Sequence, residues 1–181
     1  MKLLVLIPAK LDSKRLAKKN IQKINGKTLV EHSIDYAKQS RHNPEIIISS
    51  ESEIVKEIAN SNNVTFMLRE KQLCGDAEVV DVYVDIVRSI NKEYDYVVAL
   101  QPDHPDREHS LDHCLDYLID NGYDDLITIE PNFKRSGSVR VFKYNFLLNA
   151  NVSKRIGCLK DSATDIHYLE DLNKAKNKMK L

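Results

Sequence analysis

The hydrophobic positions of this chain fall into short apolar runs separated by stretches of helical period. Residues 3–7 are Leu, Val and Ile without interruption. The run is too short for a helix core and predicts a buried central strand. Pro8 ends it, because proline has no N–H for a ladder. After a polar loop, Asn25-Gly26 marks a turn. Thr28 predicts the cap of a helix to about Gln39, with Leu29, Ile34 and Ala37 inward. Residues 45–49, EIIIS, predict a strand. Ser50 predicts the N-cap of a helix over 51–60 that turns Ile54, Ile58 and Ala59 to the core. Residues 64–68 predict a short strand with Arg69 at its carboxyl end.

A helix is predicted from Asp76 to about Ile90, with Val79, Val80, Tyr83, Ile86 and Val87 inward. Residues 94–100 form the second strongly apolar strand, followed by a loop stiffened by Pro102 and Pro105. A helix over 110–121 stops at Gly122, which suits a left-handed position. Residues 126–129 predict a strand closed by Pro131. Alternation of Val139, Arg140 and Val141 predicts a strand over 138–144 at a sheet edge. Residues 152–160 fit neither period, and a last helix is predicted over 168–179. Strands alternating with helices of this length imply right-handed βαβ units and a mostly parallel sheet. The expected fold is α/β: one domain over 1–181, built as a three-layer α/β/α sandwich with a Rossmann-like sheet.

Composition narrows the partners. Lys and Arg number 27, as do Asp and Glu, so the formal net charge is zero. There is no global pull toward nucleic acid or an anionic membrane, and any anion site has to be local. No apolar stretch reaches the roughly 20 residues of a membrane span. The N-terminus shows no cleavage site of the signal-peptide kind. Cys74, Cys114 and Cys158 are widely spaced and read as reduced thiols of a cytoplasmic protein. No G-x-G-x-x-G is present, which argues against a dinucleotide cofactor. The lysines of 174–180 read as a solvated helix face.

The candidate chemistry sits at strand ends. The loop after the first strand carries Lys10, Lys14, Arg15, Lys18 and Lys19, with Ser13 and Asn20 between them. Arg69 follows the strand over 64–68, and Gln101 and Asp103 follow the strand over 94–100. In an open α/β sheet such ends converge on one crevice. Five cations there suit a phosphate chain, and a carboxylate suits a Mg²⁺ that also holds phosphate oxygens. The plainer readings are a solvated basic loop and an Asp103 that caps the next helix. A competing cluster is His104, His109, His113 and Cys114. His109 and His113 share a helix face, but no H-E-x-x-H supports zinc.

The first loop resembles the signature of the cytidylyltransferases that activate acidic sugars, roughly I-P-A-R-x-x-S-K-R-[IL]-P-x-K-N. Ile7-Pro8-Ala9, Ser13-Lys14-Arg15-Leu16 and Lys19-Asn20 match it. Lys10 stands for the arginine, Ala17 for the proline, and Leu11 and Asp12 where glycines are frequent. Leu100 to Pro105 resembles the second signature. It blends the L-Q-P-T-S-P-L-R of sialate enzymes (Gln101, Pro105, Arg107) with the metal-binding aspartate of the Q-G-D-E-P of KDO enzymes (Asp103). Leu68-Arg69 with Leu73 and Gly75-Asp76 resembles L-R-P-x-x-L-x-x-D. Asp165-Ile166-His167 resembles the start of I-D-I-D-T-x-x-D-L, with His167 in place of the second aspartate.

The resemblance implies a fold of the nucleotide-diphospho-sugar transferase type. It implies transfer of CMP from CTP to a sialic-, legionaminic-, pseudaminic- or KDO-like acid, with release of pyrophosphate, in nucleotide-sugar biosynthesis for cell-surface polysaccharide. Lys19, Asp103 and Arg15 are then catalytic. Lys10, Ser13, Lys14, Asn20, Arg69 and Gln101 bind nucleotide. Asp103 and Asp165, with His167 as a third candidate, hold Mg²⁺, or Mn²⁺ given the imidazole. Asp165 has a plainer reading too, as the cap of the last helix. Val80 stands where a small hydroxyl is frequent near the base. Only residues 130–133 remain where family enzymes carry an insertion for the dimer and sugar pocket. A homodimer of the family type is therefore in doubt. The alternatives are a degenerate nucleotide-binding module and a nucleotidyltransferase for another base. A GTP-using relative would show a glycine-rich first loop, which is absent.

Overall fold

The computed structural model describes residues 1–74, 78–149 and 153–180. Its centre is β1 (Leu3–Pro8), every residue of which is buried. The chain continues through a small hairpin of β2 (Lys23–Ile24) and β3 (Lys27–Thr28), α1 (Leu29–Lys38), β4 (Glu45–Ser50), α2 (Glu53–Ser61) and β5 (Thr65–Leu68). It then forms α3 (Val79–Ser89), β6 (Tyr96–Ala99), α4 (Leu111–Asp120), β7 (Asp125–Ile129) and β8 (Arg135–Lys143). The last elements are α5 (Tyr144–Leu148), β9 (Ile156–Lys160) and α6 (Leu169–Lys178).

Seven strands form one sheet in the order β5-β4-β1-β6-β8-β7-β9. The pairs β5–β4, β4–β1, β1–β6 and β7–β9 are parallel. β8 runs antiparallel to both of its neighbours. Strand side chains alternate faces, so β1 feeds two cores. Leu3, Val5 and Ile7 pack with α1, α2 and α4. Leu4 and Leu6 pack with α3 and α5. The result is the expected α/β/α sandwich. A third cluster joins Ile24 and Leu29 to Ile166, Leu172 and Ala175, so α6 seals the first loop from outside.

The local signal at Thr28 acts as expected. Thr28 Oγ1 accepts from the Glu31 amide, and the Glu31 carboxylate accepts from the Thr28 amide, a full capping box. Ser110 accepts from the His113 amide and starts α4. Gly122 takes φ +65° after α4.

Three expectations need correction. Ser50 does not cap α2. It is the last residue of β4, and its hydroxyl donates to the Ala9 carbonyl at 2.7 Å. The helix therefore starts at Glu53, and its buried side chains are Val55 and Ala59. Ile54 is 43% exposed. The strand of residues 138–144 is not an edge. β8 lies between β6 and β7, and the Arg140 charge that made it look half-wet is paired with Asp125 of β7 at 2.6 Å. The ambiguous stretch 152–160 yields β9, which is the true edge on that side; its Val152 lies outside the described residues. So do Gly75 and Asp76, and with them the expected start of α3.

Candidate functional site

β1, β5 and β6 all end at the same rim of the sheet, and each hands its next residues to one cleft. Ala9 still donates to Ser49 at 2.9 Å, so the chain leaves β1 in register. It then arches over residues 10–20. Lys18 takes a left-handed φ of 50°, which turns the chain into a short 3-10 turn, Lys19–Ile21. Asn20 closes the arch, its amide donating to the Lys10 carbonyl at 2.8 Å. Asn20 is buried, and its Oδ1 has no hydrogen-bond partner. A buried acceptor of that kind costs about 1–3 kcal/mol unless something donates to it.

Arg69 leaves β5 with its amide on Ser50 O at 3.0 Å. Its guanidinium is 7% exposed and donates to Ser49 O at 2.7 Å. Burial lowers its pKa. Among the described residues, no carboxylate pairs with it. A buried cation whose desolvation outweighs the nearby Glu51 charge is a natural partner for an anionic ligand.

After β6, the loop of residues 101–108 is braced from both sides. Arg107 donates to Gln101 O at 2.7 Å and to Ser138 O at 2.9 Å. The Gln101 side chain lies against Gly137, where an added Cβ would come within 2.5 Å of its amide carbon. Asp103 is 9% exposed. Its Oδ2 accepts from Lys19 Nζ at 2.5 Å, and its Oδ1 meets His104 Nδ1 at 3.0 Å. Burial opposes the Asp103 charge, but His104 and then Lys19 outweigh it and hold the carboxyl well below the usual carboxylate range.

The last contribution comes from the segment of residues 161–168, which lies along the 101–108 loop. Ile166 N donates to Asp103 O at 3.0 Å. Asp106 accepts from Thr164 N at 2.7 Å and from Thr164 Oγ1 at 2.8 Å. Glu108 accepts from Ser162 N at 3.0 Å. This strip places Asp165 beside His104 and aims His167 at Asp165, with Nε2 to Oδ2 at 2.9 Å. Neither carboxylate caps a helix as the plainer readings had it. Ser110 starts α4, and Asp171 accepts from the His167 and Tyr168 amides at the start of α6.

Together these segments enclose a cavity of about 340 Å³. Lys10, Ser13, Lys14, Arg15, Lys19, Asn20, Arg69, Gln101, Asp103 and His167 line it, so ten of the eleven named site candidates meet there. The eleventh, Asp165, stands just behind His167. Among the lining residues, five lysines and arginines face two carboxylates, Asp12 and Asp103. A neutral chain thus carries a locally positive cleft. Lys18 is not part of it; its place among the five cations is taken by Arg69. Val80 packs into the α3 core, and Val79 and Val82 line the cavity instead.

The zinc alternative does not assemble. His109 and His113 stack at 5.0 Å, but His109 Nε2 is bonded to Lys160 O at 2.7 Å. Cys114 is buried in the core, and burial pushes its thiol up to about 12. The group that does assemble is Asp103, His104 and Asp165, whose ligand atoms lie within 4.8 Å of one another. Two carboxylates and an imidazole suit a divalent ion. Sequence reasoning had placed His104 with the wrong histidines. Its adjacency to Asp103 was the usable signal.

The family model described as Cytidylyltransferase matches residues 4–174. The chain is 33% identical over 113 residues to CMP-N,N'-diacetyllegionaminic acid synthase of Legionella pneumophila, covering 60% of this chain and 49% of that one. It is 36% identical over 105 residues to pseudaminic acid cytidylyltransferase of Campylobacter jejuni, covering 55% and 45%. The chain thus spans about half the length of these curated relatives. Among solved structures, CMP:2-keto-3-deoxy-manno-octonic acid synthetase complexed with CTP superposes with a TM-score of 0.79 at 15% identity, covering 99% of this chain and 98% of that one.

Proposed function

The chain belongs to the cytidylyltransferase family, and from that premise we propose that its cleft transfers CMP from CTP to a hydroxyl of an acidic keto-sugar and releases pyrophosphate. The sugar would be of the class named in its relatives: legionaminic, pseudaminic, N-acylneuraminic or 3-deoxy-octulosonic acid. The observation that carries the reading is the meeting of Lys19, Arg69 and Asp103, from three separate strand ends, in one cavity.

The proposed division of labour follows the geometry. Lys10, Lys14, Arg15 and Lys19 surround the triphosphate, and Ser13 donates to it. Their charges are placed before the reaction, so they stabilise the transition state without reorganising. Asn20 Oδ1 accepts from the base or ribose and so satisfies its own orphan oxygen. Arg69 and Gln101 complete the nucleoside contacts. The sugar hydroxyl attacks the α-phosphorus in line, the bond to pyrophosphate breaks, and no protein nucleophile is needed. A divalent ion, Mg²⁺ or Mn²⁺, held by Asp103 and Asp165 would neutralise phosphate oxygens and acidify the attacking hydroxyl. Lys19 serves twice, as a phosphate ligand and as the cation that keeps Asp103 ionised and aimed.

The acceptor side is proposed to be reduced. β7 and β8 are joined by a tight turn, with Glu130 N donating to Lys134 O at 2.7 Å, where the family pattern carries its insertion. A dimer built through that insertion is not expected. Three unpaired cysteines fit a reducing compartment, which favours the cytoplasm, and no helix among the described residues is long and apolar enough to cross a membrane.

The test is pyrophosphate release with CTP, a panel of keto-sugar acids, and Mg²⁺ or Mn²⁺. Release with one sugar class supports transfer. The short turn and His167 favour a second reading, nucleotide binding without turnover. That reading predicts thermal stabilisation by CTP and no pyrophosphate from any sugar. Stabilisation by GTP, UTP or ATP above CTP would point to another base.

A further inference from the structure

His104 is assigned no part in the reading above, yet it sits between the two carboxylates of the cleft. Its imidazole is 2% exposed. Nδ1 is 3.0 Å from Asp103 Oδ1, and Nε2 is 3.9 Å from Asp165 Oδ1. Nε2 is buried and has no hydrogen-bond partner. Such nitrogens are rare in folded proteins, and each asks what satisfies it.

The distance decides between two answers. At 3.9 Å the Nε2–Asp165 pair is well beyond the roughly 3.2 Å limit of an N–H···O hydrogen bond. It is inside the about 4.2 Å that a nitrogen and an oxygen can span when each binds the same ion at about 2.1 Å. Asp103 supplies the tautomer. A carboxylate that accepts from Nδ1–H leaves the Nε2 lone pair free, as in carboxylate–histidine–metal arrangements. The next shell is built as well, since His167 donates to the other oxygen of Asp165 at 2.9 Å and fixes that carboxylate's orientation.

We infer that His104 Nε2 is a metal ligand, and that the centre it forms with Asp165, its imidazole oriented from behind by Asp103, selects a first-row transition ion over Mg²⁺. Mg²⁺ is hard, demands near-octahedral oxygen and keeps its waters. An imidazole is wasted on it. Imidazole favours first-row transition ions, and among them Mn²⁺ also suits the Asp165 carboxylate and is paramagnetic, so it is the ion used as the probe. This inference rests on the transfer reading only for its purpose; the centre itself is assembled without nucleotide.

The experiment is therefore done on the full chain without nucleotide. MnCl₂ is added and the bound ion is examined by pulsed electron paramagnetic resonance. The expected result is ¹⁴N modulation from one histidine. Competition with MgCl₂, read from the free Mn²⁺ signal, should show Mn²⁺ bound more tightly than Mg²⁺. His104→Asn should lose the nitrogen signal and most of that preference, and His109→Asn should keep both. Bound Mn²⁺ without ¹⁴N modulation in the unaltered protein would overturn the inference, as would equal affinities for the two ions. The unaltered protein alone decides the point if His104→Asn does not fold. CTP binding, measured separately by calorimetry, keeps the two readings apart: its absence beside a nitrogen-ligated ion sinks transfer and leaves this centre standing.

Discussion

The loop of residues 101–108 and the strip of residues 161–168 each bring one carboxylate to the cleft, and they hold it by different means. Asp103 is gripped by side chains. Lys19 takes one oxygen and His104 the other, and the residue is nearly closed off from solvent. Asp165 has a half-exposed side chain bonded to His167, and what holds it is the strip's backbone. That backbone is fastened through Asp103 O, Asp106 and Glu108. One carboxylate is preorganised by charge and the other by tethering of its neighbours. The first should tolerate no change, and the second should be adjustable.

The sharpest way to break this contrast is Asp103→Asn. Turnover should fall by more than about a hundredfold, since even outer-shell partners of a metal typically cost 10- to 100-fold. Asp165→Asn should cost less, about tenfold, and recover in part at high metal concentration. Steady-state rates against metal concentration rank the two. A larger loss at Asp165 would reverse the argument. Asp106→Ala removes the tether without touching the cleft. It leaves the Thr164 amide, Thr164 hydroxyl and Lys178 without their partner and should cost about 1–3 kcal/mol in urea unfolding.

Acid should act on both grips. Burial opposes the charges of Asp103 and Asp106, but their partners win, and both carboxyls lie below the usual range. The unfolded chain therefore binds these protons more readily. Their stabilisation is present above the unfolded value of about 3.9 and is lost as the pH falls from there toward the folded values. Urea midpoints between pH 6 and 3 should decline at the acid end, and less so in Asp103→Asn. The smallest effect is expected at Gly137→Ala. The new methyl displaces the Gln101 amide, a movable group, so the nucleotide KM should rise severalfold while the melting temperature barely changes.

Much of this was legible in the chain because it is local. The apolar run of β1, the Thr28 cap and the strand-end cations announce themselves within a few residues. The errors arose where a distant partner decides. Ser50 has the chemistry of a cap, but the Ala9 carbonyl, 41 positions away, uses its hydroxyl. Arg140 reads as a wet edge until Asp125 is placed beside it. His104 was grouped with His109 and His113 by nearness in sequence, whereas the strip that defines its role arrives sixty residues later with Asp165.

That late arrival gives the protein a direction in time. A ribosome delivers the cations of residues 10–19 well ahead of residues 161–168, and domains begin to organise as they emerge. The strip that roofs the cleft follows after β9, and α6 closes the cluster of Ile24 and Leu29 only after that. A growing chain is thus an incomplete receptor for polyphosphate until that strip is made. It becomes able to bind an ion between two carboxylates only once Asp165 has been translated.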